Sequence, residues 1–387
     1  MTKFKLLSGV SEIPEKKWNL LVGEESPFLE WGWLASLEDS GAAIPERGWG
    51  PQPIVIEKNG ELVAACPLYL KGHSEGEFIF DWSWAEAAQN GGIKYYPKLL
   101  VGVPFTPVTG ARFLTKPGED RNHWIKELEA QLRFISEKNQ ISSVHINFCL
   151  QDEIDAVEGD AFQSRLSFQY HWHNIDFETF EDYLGSLRSK RRNQIKREIR
   201  SIDEADIEIK CFVGEEIEDS MIPIMYQTYL STIQKNPWGR QYLNEAFFEL
   251  LQDRFRKRLC FILATRGGTP VAGTINVIKG DTLYGRYWGC FQEIRHLHFA
   301  VCYYAGIRAC IENGLSRFEP GAGGHYKQLR GFDPVRTRSL HYLLDSRLAE
   351  GVRRFLASER KESEQVISYF EEHTAHRRDK MMRIELD

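Results

Sequence analysis

The residues best suited to chemistry lie in segment 317–341, which reads RFEPGAGGHYKQLRGFDPVRTRSLH. Its pattern predicts a short strand, Arg317–Glu319, that ends at the glycine-rich stretch 320–324, because proline lacks a backbone donor and glycine tolerates positive φ. Polar and cationic side chains follow at once: His325, Tyr326, Lys327, Gln328 and Arg330. A strand end, a glycine loop and a cluster of cations together predict a pocket for an anionic or carbonyl-bearing ligand. The alternative is a surface turn followed by a solvated basic loop.

The composition predicts a globular soluble protein of two domains, 1–167 and 168–387. The chain has 387 residues, of which 42% are hydrophobic and 27% charged, and its net charge is −6. That charge excludes a global nucleic-acid signature. Seven cysteines without a CxxC motif indicate free thiols in a reducing compartment. With no signal-peptide pattern and no run of roughly 18 apolar residues, we expect a cytoplasmic protein without a membrane span.

An internal repeat predicts that the domains are two copies of one fold. Segment 60–72 (GELVAACPLYLKG) aligns without gaps on segment 268–280 (GTPVAGTINVIKG) and shares Gly, Val, Ala, Lys and Gly with it. Chance similarity between two hairpins is the alternative. In each half we expect the same three elements to follow, namely an aromatic-rich strand (78–84 and 283–289), a helix (122–137 and 299–313) and a short strand (144–148 and 317–319).

A cationic stretch at 188–200, RSKRRNQIKREIR, is predicted to be a helix. Arg188, Arg192, Lys196 and Arg200 are spaced by four and therefore share one face. Such a stripe, with Lys190 beside it, suits contacts to the phosphates of tRNA, a nucleotide or a lipid-linked precursor. The alternative is an ordinary solvated helix face.

Five motifs together resemble the FemAB-like family, which is described as peptidoglycan biosynthesis/recognition and as predicted N-acyltransferases of the GNAT superfamily. The resemblance extends from about residue 27 to about residue 343. It implies an α/β fold with mixed sheets, built as two tandem GNAT-like acyl-CoA N-acyltransferase folds. The motifs are EPGAGGHYKQLRGF (319–332), YHWHN (170–174), SKRRNQIKRE (189–198), FDWSWA (80–85) and YYPKL…VPFTPVTG (95–110).

The resemblance implies an N-acyltransferase that forms an amide bond by direct attack of an amine on an activated acyl donor. Related peptidoglycan-bridge enzymes use aminoacyl-tRNA as the donor and a peptidoglycan-precursor amine as the acceptor, whereas ordinary GNAT members use acetyl-CoA held by a glycine-rich loop. The equivalent stretch here, 292–299 (QEIRHLHF), has no glycine, and the long helical arm of the bridge enzymes is also missing. The donor thus stays open between aminoacyl-tRNA and a CoA thioester, and no tightly bound cofactor is expected.

Direct acyl transfer needs a neutral amine, a polarised carbonyl and a route for the proton. The candidate catalytic residues are Glu319, as a proton acceptor or ammonium-orienting group, His325, as an acid or base, and Lys327. Lys327 and Arg330 suit a donor phosphate or carboxylate, or a developing negative charge. A strand-end salt bridge is the alternative for Glu319. The candidate substrate-binding residues are Arg330, Tyr326, Arg286, Tyr287, Trp288, Asp81, Trp82, His171, His173, Lys190 and Arg192.

The sequence is also compatible with two other functions. A non-catalytic protein that recognises a cell-envelope precursor or muropeptide would use the same aromatic motifs for stacking. A nucleic-acid binder would use the cationic helix, although the overall acidity argues against it. No metal is predicted, because His171 and His173 form a pair without a third ligand at metal-site spacing.

Overall fold

The computed structural model describes residues 1–159, 161–235 and 239–377. It divides into two compact units. Unit 1 contains Met1–Phe168 and Arg336–Gln365, and unit 2 contains Gln169–Val335 and the chain from Val366 onward. The predicted second domain ran without interruption from 168 to 387, so the structure differs in giving residues 336–365 to unit 1. Residues 378–387 of that predicted domain lie outside the described residues.

Both units combine strands with helices, as the sequence predicts. The strands are β1 Thr2–Leu6, β2 Trp49–Pro51, β3 Ile54–Lys58, β4 Glu61–Cys66, β5 Leu68–Lys71, β6 Lys98–Val101, β7 Leu114–Thr115, β8 Ser143–Asn147, β9 Gln163–His173, β10 Glu208–Val213, β11 Leu259–Arg266, β12 Thr269–Lys279, β13 Thr282–Cys290, β14 Arg317–Glu319 and β15 Asp333–Leu343. The α-helices are α1 Glu15–Val22, α2 Trp31–Asp39, α3 Trp82–Asn90, α4 Arg121–Asn139, α5 Gln151–Val157, α6 Phe180–Ser186, α7 Ser189–Asp203, α8 Met221–Lys235, α9 Glu245–Arg254, α10 Leu297–Phe299, α11 Ala305–Glu312 and α12 Ser346–Glu372. A π-helical segment, Ala300–Tyr304, joins α10 to α11.

Unit 1 contains two sets of paired strands. One is the antiparallel series β1-β3-β4-β7, and the other is β15-β8-β6-β5-β2, in which only β6 and β8 run parallel. Helix α4 starts where the side chain of Asp120 accepts a hydrogen bond from the His123 amide, which satisfies a free donor of the first turn. Its buried face, including Leu128 and Leu132, packs into the core beneath these strands.

Unit 2 contains the series β10-β11-β12-β13-β14-β9, in which only β13 and β14 run parallel. Helix α8 crosses β13 closely, since a Cβ placed on Gly289 would lie 1.7 Å from the carbonyl oxygen of Thr228. Gly306 of α11 faces Phe318 of β14 in the same way, with the ring carbon Cε1 2.5 Å from a hypothetical Cβ. These two glycines allow helices to pack closely on β13 and on β14, the strand that carries the candidate site.

The two units share one order of strand pairing, which agrees with the predicted repeat. In unit 1 the series β5-β6-β8-β15 is antiparallel, parallel and antiparallel in turn. The series β12-β13-β14-β9 of unit 2 repeats it. In the sequence, β15, the last strand of the unit 1 series, follows most of unit 2, whereas β9, the last strand of the unit 2 series, precedes the rest of that unit.

One local prediction was wrong. The segment 78–84 was predicted to be a strand, but residues 78–81 are irregular and helix α3 begins at Trp82. The predicted helix 299–313 is present, and it includes the π-helical segment Ala300–Tyr304. Among the residues described, no helix combines the length and apolarity needed to cross a bilayer.

Candidate functional site

The candidate site of unit 2 lies where β13 and β14 stop pairing. The parallel register joins Thr282 to Arg317, and its last pair is Tyr284 with Glu319. Pro320 then ends β14, because it has no amide to continue the ladder, while β13 continues to Cys290. Glu319 therefore stands at the end of a strand, where the two strands separate.

The carboxyl group of Glu319 is buried, with only 6% of the residue exposed. Its Oε1 lies 3.3 Å from Nε of Arg317, and its Oε2 lies 3.7 Å from Nε2 of His171. Within the described part of the chain, neither Oε2 nor that imidazole nitrogen has a hydrogen-bond partner. Such buried polar atoms are uncommon in folded proteins and often mark a functional site.

Burial raises the pKa of Glu319 to about 7, although the positive charge of Arg317 opposes the shift. Burial also lowers the pKa of His171, and the charges of Arg317 and Lys327 lower it further. The imidazole is therefore neutral at pH 7, while the carboxyl group is poised between its two protonation states. A carboxylate with these properties can accept a proton near neutral pH.

The glycine loop folds directly against β13. Gly321, Gly323 and Gly324 have φ values of 86°, 72° and 83°, which favour glycine. A Cβ on Gly285 would lie 3.1 Å from Cα of Pro320, so the backbones approach closely only because this residue is glycine.

The buried side chain of Lys327 stabilises this loop through hydrogen bonds. Its ammonium group donates hydrogen bonds to the carbonyl oxygens of Gly321 and, at 3.5 Å, of Ala322. Burial lowers the pKa of Lys327 to about 8, although the Cys302 thiol opposes the shift. An ammonium group has three N–H donors, and the described contacts occupy two of them.

Arg330 has a different role from the predicted substrate contact. Its Nη2 lies 2.8 and 2.9 Å from the two carboxylate oxygens of Glu198, its Nε donates to the Tyr304 hydroxyl at 2.8 Å, and its Nη1 donates to the Tyr326 carbonyl at 3.0 Å. The guanidinium also lies 3.5 Å from the ring centroid of Phe299. Arg330 is 1% exposed, so it connects the loop to α7 rather than to a ligand.

The sequence analysis missed Glu198. It is buried on α7 and accepts a hydrogen bond from Tyr304, which lies in the π-helical segment. Its signal was visible, since it is the only acidic residue in the cationic stretch 188–200. Arg317 and Cys302, close to Glu319 and Lys327 respectively, were also missed.

The other predicted residues in the loop and on β13 make aromatic contacts with their neighbours. His325 and Tyr326 are exposed and stack on each other with ring centroids 4.3 Å apart. Trp288 contacts the His298 ring edge-on at 5.1 Å. The Tyr287 ring packs against the Tyr229 ring of α8, and the guanidinium of Arg286 lies over the Tyr287 ring. Tyr287 and Arg286 therefore take part in the packing of β13 against α8.

The predicted histidine pair and the cationic stripe are present as local features. His173 pairs with Arg317 across β9 and β14, and its ring centroid lies 6.4 Å from that of His171. In the ranges 1–159, 161–235 and 239–377, no group of three or more His, Cys, Asp or Glu residues has the arrangement of a metal site. Lys190 is exposed and Arg192 half-buried on α7, and the buried residues of this helix include Ile195 and Ile202.

Asp81 and Trp82 belong to unit 1, apart from the centre described above. Asp81 is buried, and its Oδ2 accepts hydrogen bonds from Nζ of Lys98 and, at 2.6 Å, from the Tyr95 hydroxyl. Burial alone would raise the pKa of Asp81, but the charge of Lys98 lowers it well below its usual range. Trp82 is exposed and stacks on Phe80 at 4.8 Å. Asp81 therefore stabilises the segment, and only Trp82 is accessible to a ligand.

The chain shares its mixed α/β fold with solved structures. It is similar to the crystal structure of FemX, with a TM-score of 0.54 at 10% identity over 88% of this chain and 98% of that one. It is also similar to L-PGS from Bacillus licheniformis, with a TM-score of 0.50 at 9% identity over 84% of this chain and 94% of that one. At such identities the likeness concerns the fold.

The family model for FemAB-like proteins, described as peptidoglycan biosynthesis/recognition, matches residues 9–378. The chain belongs to the FemAB-like family, as the motifs predicted. A curated relative named “Putative 8-amino-7-oxononanoate synthase 2”, from Mycobacterium tuberculosis (strain CDC 1551 / Oshkosh), is 24% identical over 188 residues, which is 46% of this chain and 24% of the relative. The chain thus spans about a quarter of the length of the curated relatives it matches, and that name says nothing of the activity here.

Proposed function

We propose that the protein is an N-acyltransferase that forms an amide bond between an activated acyl or aminoacyl donor and an amine during cell-envelope biosynthesis. Membership of the FemAB-like family and the tandem GNAT-like fold support this class of reaction. The observation that carries the proposal is the buried carboxyl group of Glu319, with one oxygen lacking a hydrogen-bond partner among the described residues.

Glu319 would take the proton of the attacking amine. An amine attacks an acyl carbon only when it is neutral, and a carboxylate whose pKa lies at about 7 accepts its proton at physiological pH. The carbonyl oxygen gains negative charge as the amine adds. The remaining N–H of Lys327, held by the glycine loop, is suited to stabilise that charge.

For the donor we propose two candidates, aminoacyl-tRNA and a CoA thioester. The exposed Lys190 and the half-buried Arg192 of α7 suit the phosphates of either donor. The acceptor proposed is the amine of a peptidoglycan-precursor-like molecule. We place the reaction in the cytoplasm, because the seven free cysteines are typical of a reducing compartment.

A thermal-shift panel followed by a turnover assay tests this function. The panel contains CoA thioesters, charged tRNA, UDP-linked precursors and free amino acids, since a ligand of the native state raises its stability. The donor that raises Tm is then incubated with each amine, and the amide product is identified by mass spectrometry. Replacing Glu319 by Gln should lower kcat about 10²- to 10⁴-fold while keeping the Tm shift.

The alternative of recognition without catalysis predicts another outcome. A precursor fragment would then raise Tm, but no donor would be consumed with any acceptor in the panel. Full turnover by Glu319→Gln, with the variant folded, would refute the role of this carboxyl group.

A further inference from the structure

Two cysteines of unit 2 lie in contact on neighbouring strands. Cys211 is on β10 and Cys260 on β11, and their sulfur atoms are 3.4 Å apart. The register pairs Cys211 with Ile262 and Cys260 with Val213, so the cysteines are diagonal neighbours on one face of the antiparallel pair. Neither residue belongs to the candidate reaction centre.

The two thiols differ in accessibility and in acidity. Cys211 is partly exposed, whereas Cys260 is buried. A hydrogen bond from Cys260 lowers the pKa of the Cys211 thiol, and the same contact, together with burial, raises the pKa of Cys260. An accessible, more acidic thiol beside a second thiol is the arrangement of redox-sensing cysteines.

We propose that Cys211 and Cys260 form a reversible redox site that reacts with a hydroperoxide. The Cys211 thiolate attacks the terminal oxygen of ROOH, the O–O bond breaks, and RO⁻ leaves as the alcohol after protonation, which gives a sulfenic acid. The Cys260 sulfur then attacks the Cys211 sulfur, an S–S bond forms, and the sulfenic oxygen leaves as water. A dithiol reductant returns both thiols and is itself oxidised to a disulfide.

The edge position of β10 allows the sulfur atoms to close the remaining gap. A disulfide bond is about 2.04 Å long, so the atoms must approach by about 1.4 Å. Strand β10 is the last strand of its series and pairs only with β11 among the described strands. Each of its six residues is exposed or half-buried, so it can shift without disturbing the core.

The bond would close a loop over residues 212–259, which include α8 and α9. Because a cross-link restricts the unfolded chain, the oxidised protein should be more stable than the reduced one. A transient disulfide of this kind is compatible with a reducing compartment, where cytosolic disulfides are usually catalytic or redox-sensing.

The test treats the reduced full-length protein with a small molar excess of hydrogen peroxide and then blocks and counts its thiols. We expect two of the seven cysteines to be lost, a mass lower by two hydrogen atoms, a peptide linking Cys211 to Cys260, and a Tm higher by several degrees that dithiothreitol reverses. In Cys260→Ser a sulfenic acid at Cys211 should be trapped by dimedone.

Cys310→Ser is the matched control, because Cys310 is another buried thiol of unit 2 that interacts electrostatically with Cys211 and with Cys260. It should oxidise like the unchanged protein. The proposal is overturned if seven thiols survive peroxide, if the new bond joins Cys310 or a second chain, or if Cys260→Ser yields no trapped sulfenic acid at Cys211.

Discussion

Glu319 combines two properties that oppose each other in a folded protein. Its burial and missing hydrogen bond cost stability, because an ionised carboxylate is poorly accommodated away from water. The same burial raises its pKa from 4.5 to about 7, which makes it a useful base at neutral pH. We interpret this conflict between stability and chemistry as the signature of a reaction centre.

The first prediction concerns pH. If Glu319 must be ionised to accept a proton, kcat/KM should rise with pH and level off above a pKa of about 7, and Glu319→Gln should lose this dependence. The folded protein binds the proton more tightly than the unfolded chain does, so stability should fall as pH rises from 4.5 to 7. The shift corresponds to about 3 kcal/mol as an upper bound.

Two measurements check this prediction. The Tm of Glu319→Gln relative to the unchanged protein should increase between pH 5 and pH 8, because glutamine never ionises. His123→Gln is the control for the rate profile, since His123 is an exposed histidine on α4 of unit 1. A profile that keeps its acidic limb in Glu319→Gln would contradict the assignment.

For single residues, the sequence predicts which side chains could bind a ligand or transfer a proton, but it does not predict their contacts. The strand end and the glycine loop were visible, since proline and glycine act locally. The neighbour of Glu319, His171, lies 148 residues earlier in the chain, and no local pattern joins them. Arg330 looked like a free cation because its partner, Glu198, lies in a stretch of positive charge.

At the scale of elements, α7 and the glycine loop are joined by one buried ion pair. Arg330 contacts Glu198 on α7, Tyr304 in the π-helical segment and the Tyr326 carbonyl in the loop. The π-helical turn supports this arrangement, and such turns occur frequently at functional sites. The loop that carries Lys327 is therefore fixed through side chains of two helical elements.

The second prediction is that Glu198→Ala strongly destabilises unit 2. It leaves the guanidinium of Arg330 buried without its carboxylate, which typically costs about 3 to 5 kcal/mol. Lys196→Ala, on the same helix, removes an exposed ion pair with Glu181 and should cost under about 1 kcal/mol. Urea unfolding followed by circular dichroism measures both variants, and equal effects would refute the prediction.

Elements with strong local signals were predicted well. Strand β14 has the predicted bounds and ends where proline and glycine begin, and α7 contains most of the predicted cationic helix. The segment 78–84 failed because its alternating aromatic residues suggested a strand. Asp81 instead turns to Lys98 and Tyr95, contacts distant in sequence, and Phe78 adopts a φ of 61°, which a strand does not contain.

At the scale of the whole molecule, the two units place different residues at equivalent positions. Lys71 of unit 1 aligns with Lys279 of unit 2 in the repeat. When the strand pairing is followed from these lysines through β6 and through β13, His145 of β8 has the position in unit 1 that Glu319 of β14 has in unit 2. His145 and His341 are both buried, and their Nδ1 atoms lie 2.7 Å apart. Burial lowers the pKa of His145 to about 3. Unit 1 thus carries a neutral histidine pair where unit 2 carries an acid beside a histidine.

The third prediction concerns charge. The molecule carries a net charge of −6, so binding of a tRNA donor must depend on a local patch, for which the solvent side of α7 is the candidate. Replacing Lys190 or Arg192 by Ala should each reduce the slope of log K against log salt by about 0.9.

The control is Lys126→Ala on α4, which is exposed in unit 1. It should leave the slope unchanged in a filter-binding titration across salt concentrations. If the α7 variants bind tRNA with the slope of the control, the tRNA donor loses its support, and a CoA thioester remains.

The late position of β15 in the sequence has a consequence for folding during synthesis on the ribosome. Strand β8 lies in the first half of the chain, but β15, its neighbour in unit 1, is made only after most of unit 2. Until then the edge of β8 has unsatisfied backbone groups, a feature that invites association with other chains. Unit 1 therefore cannot mature first, as N-terminal domains generally do, and nascent chains must be protected until residue 343 has emerged.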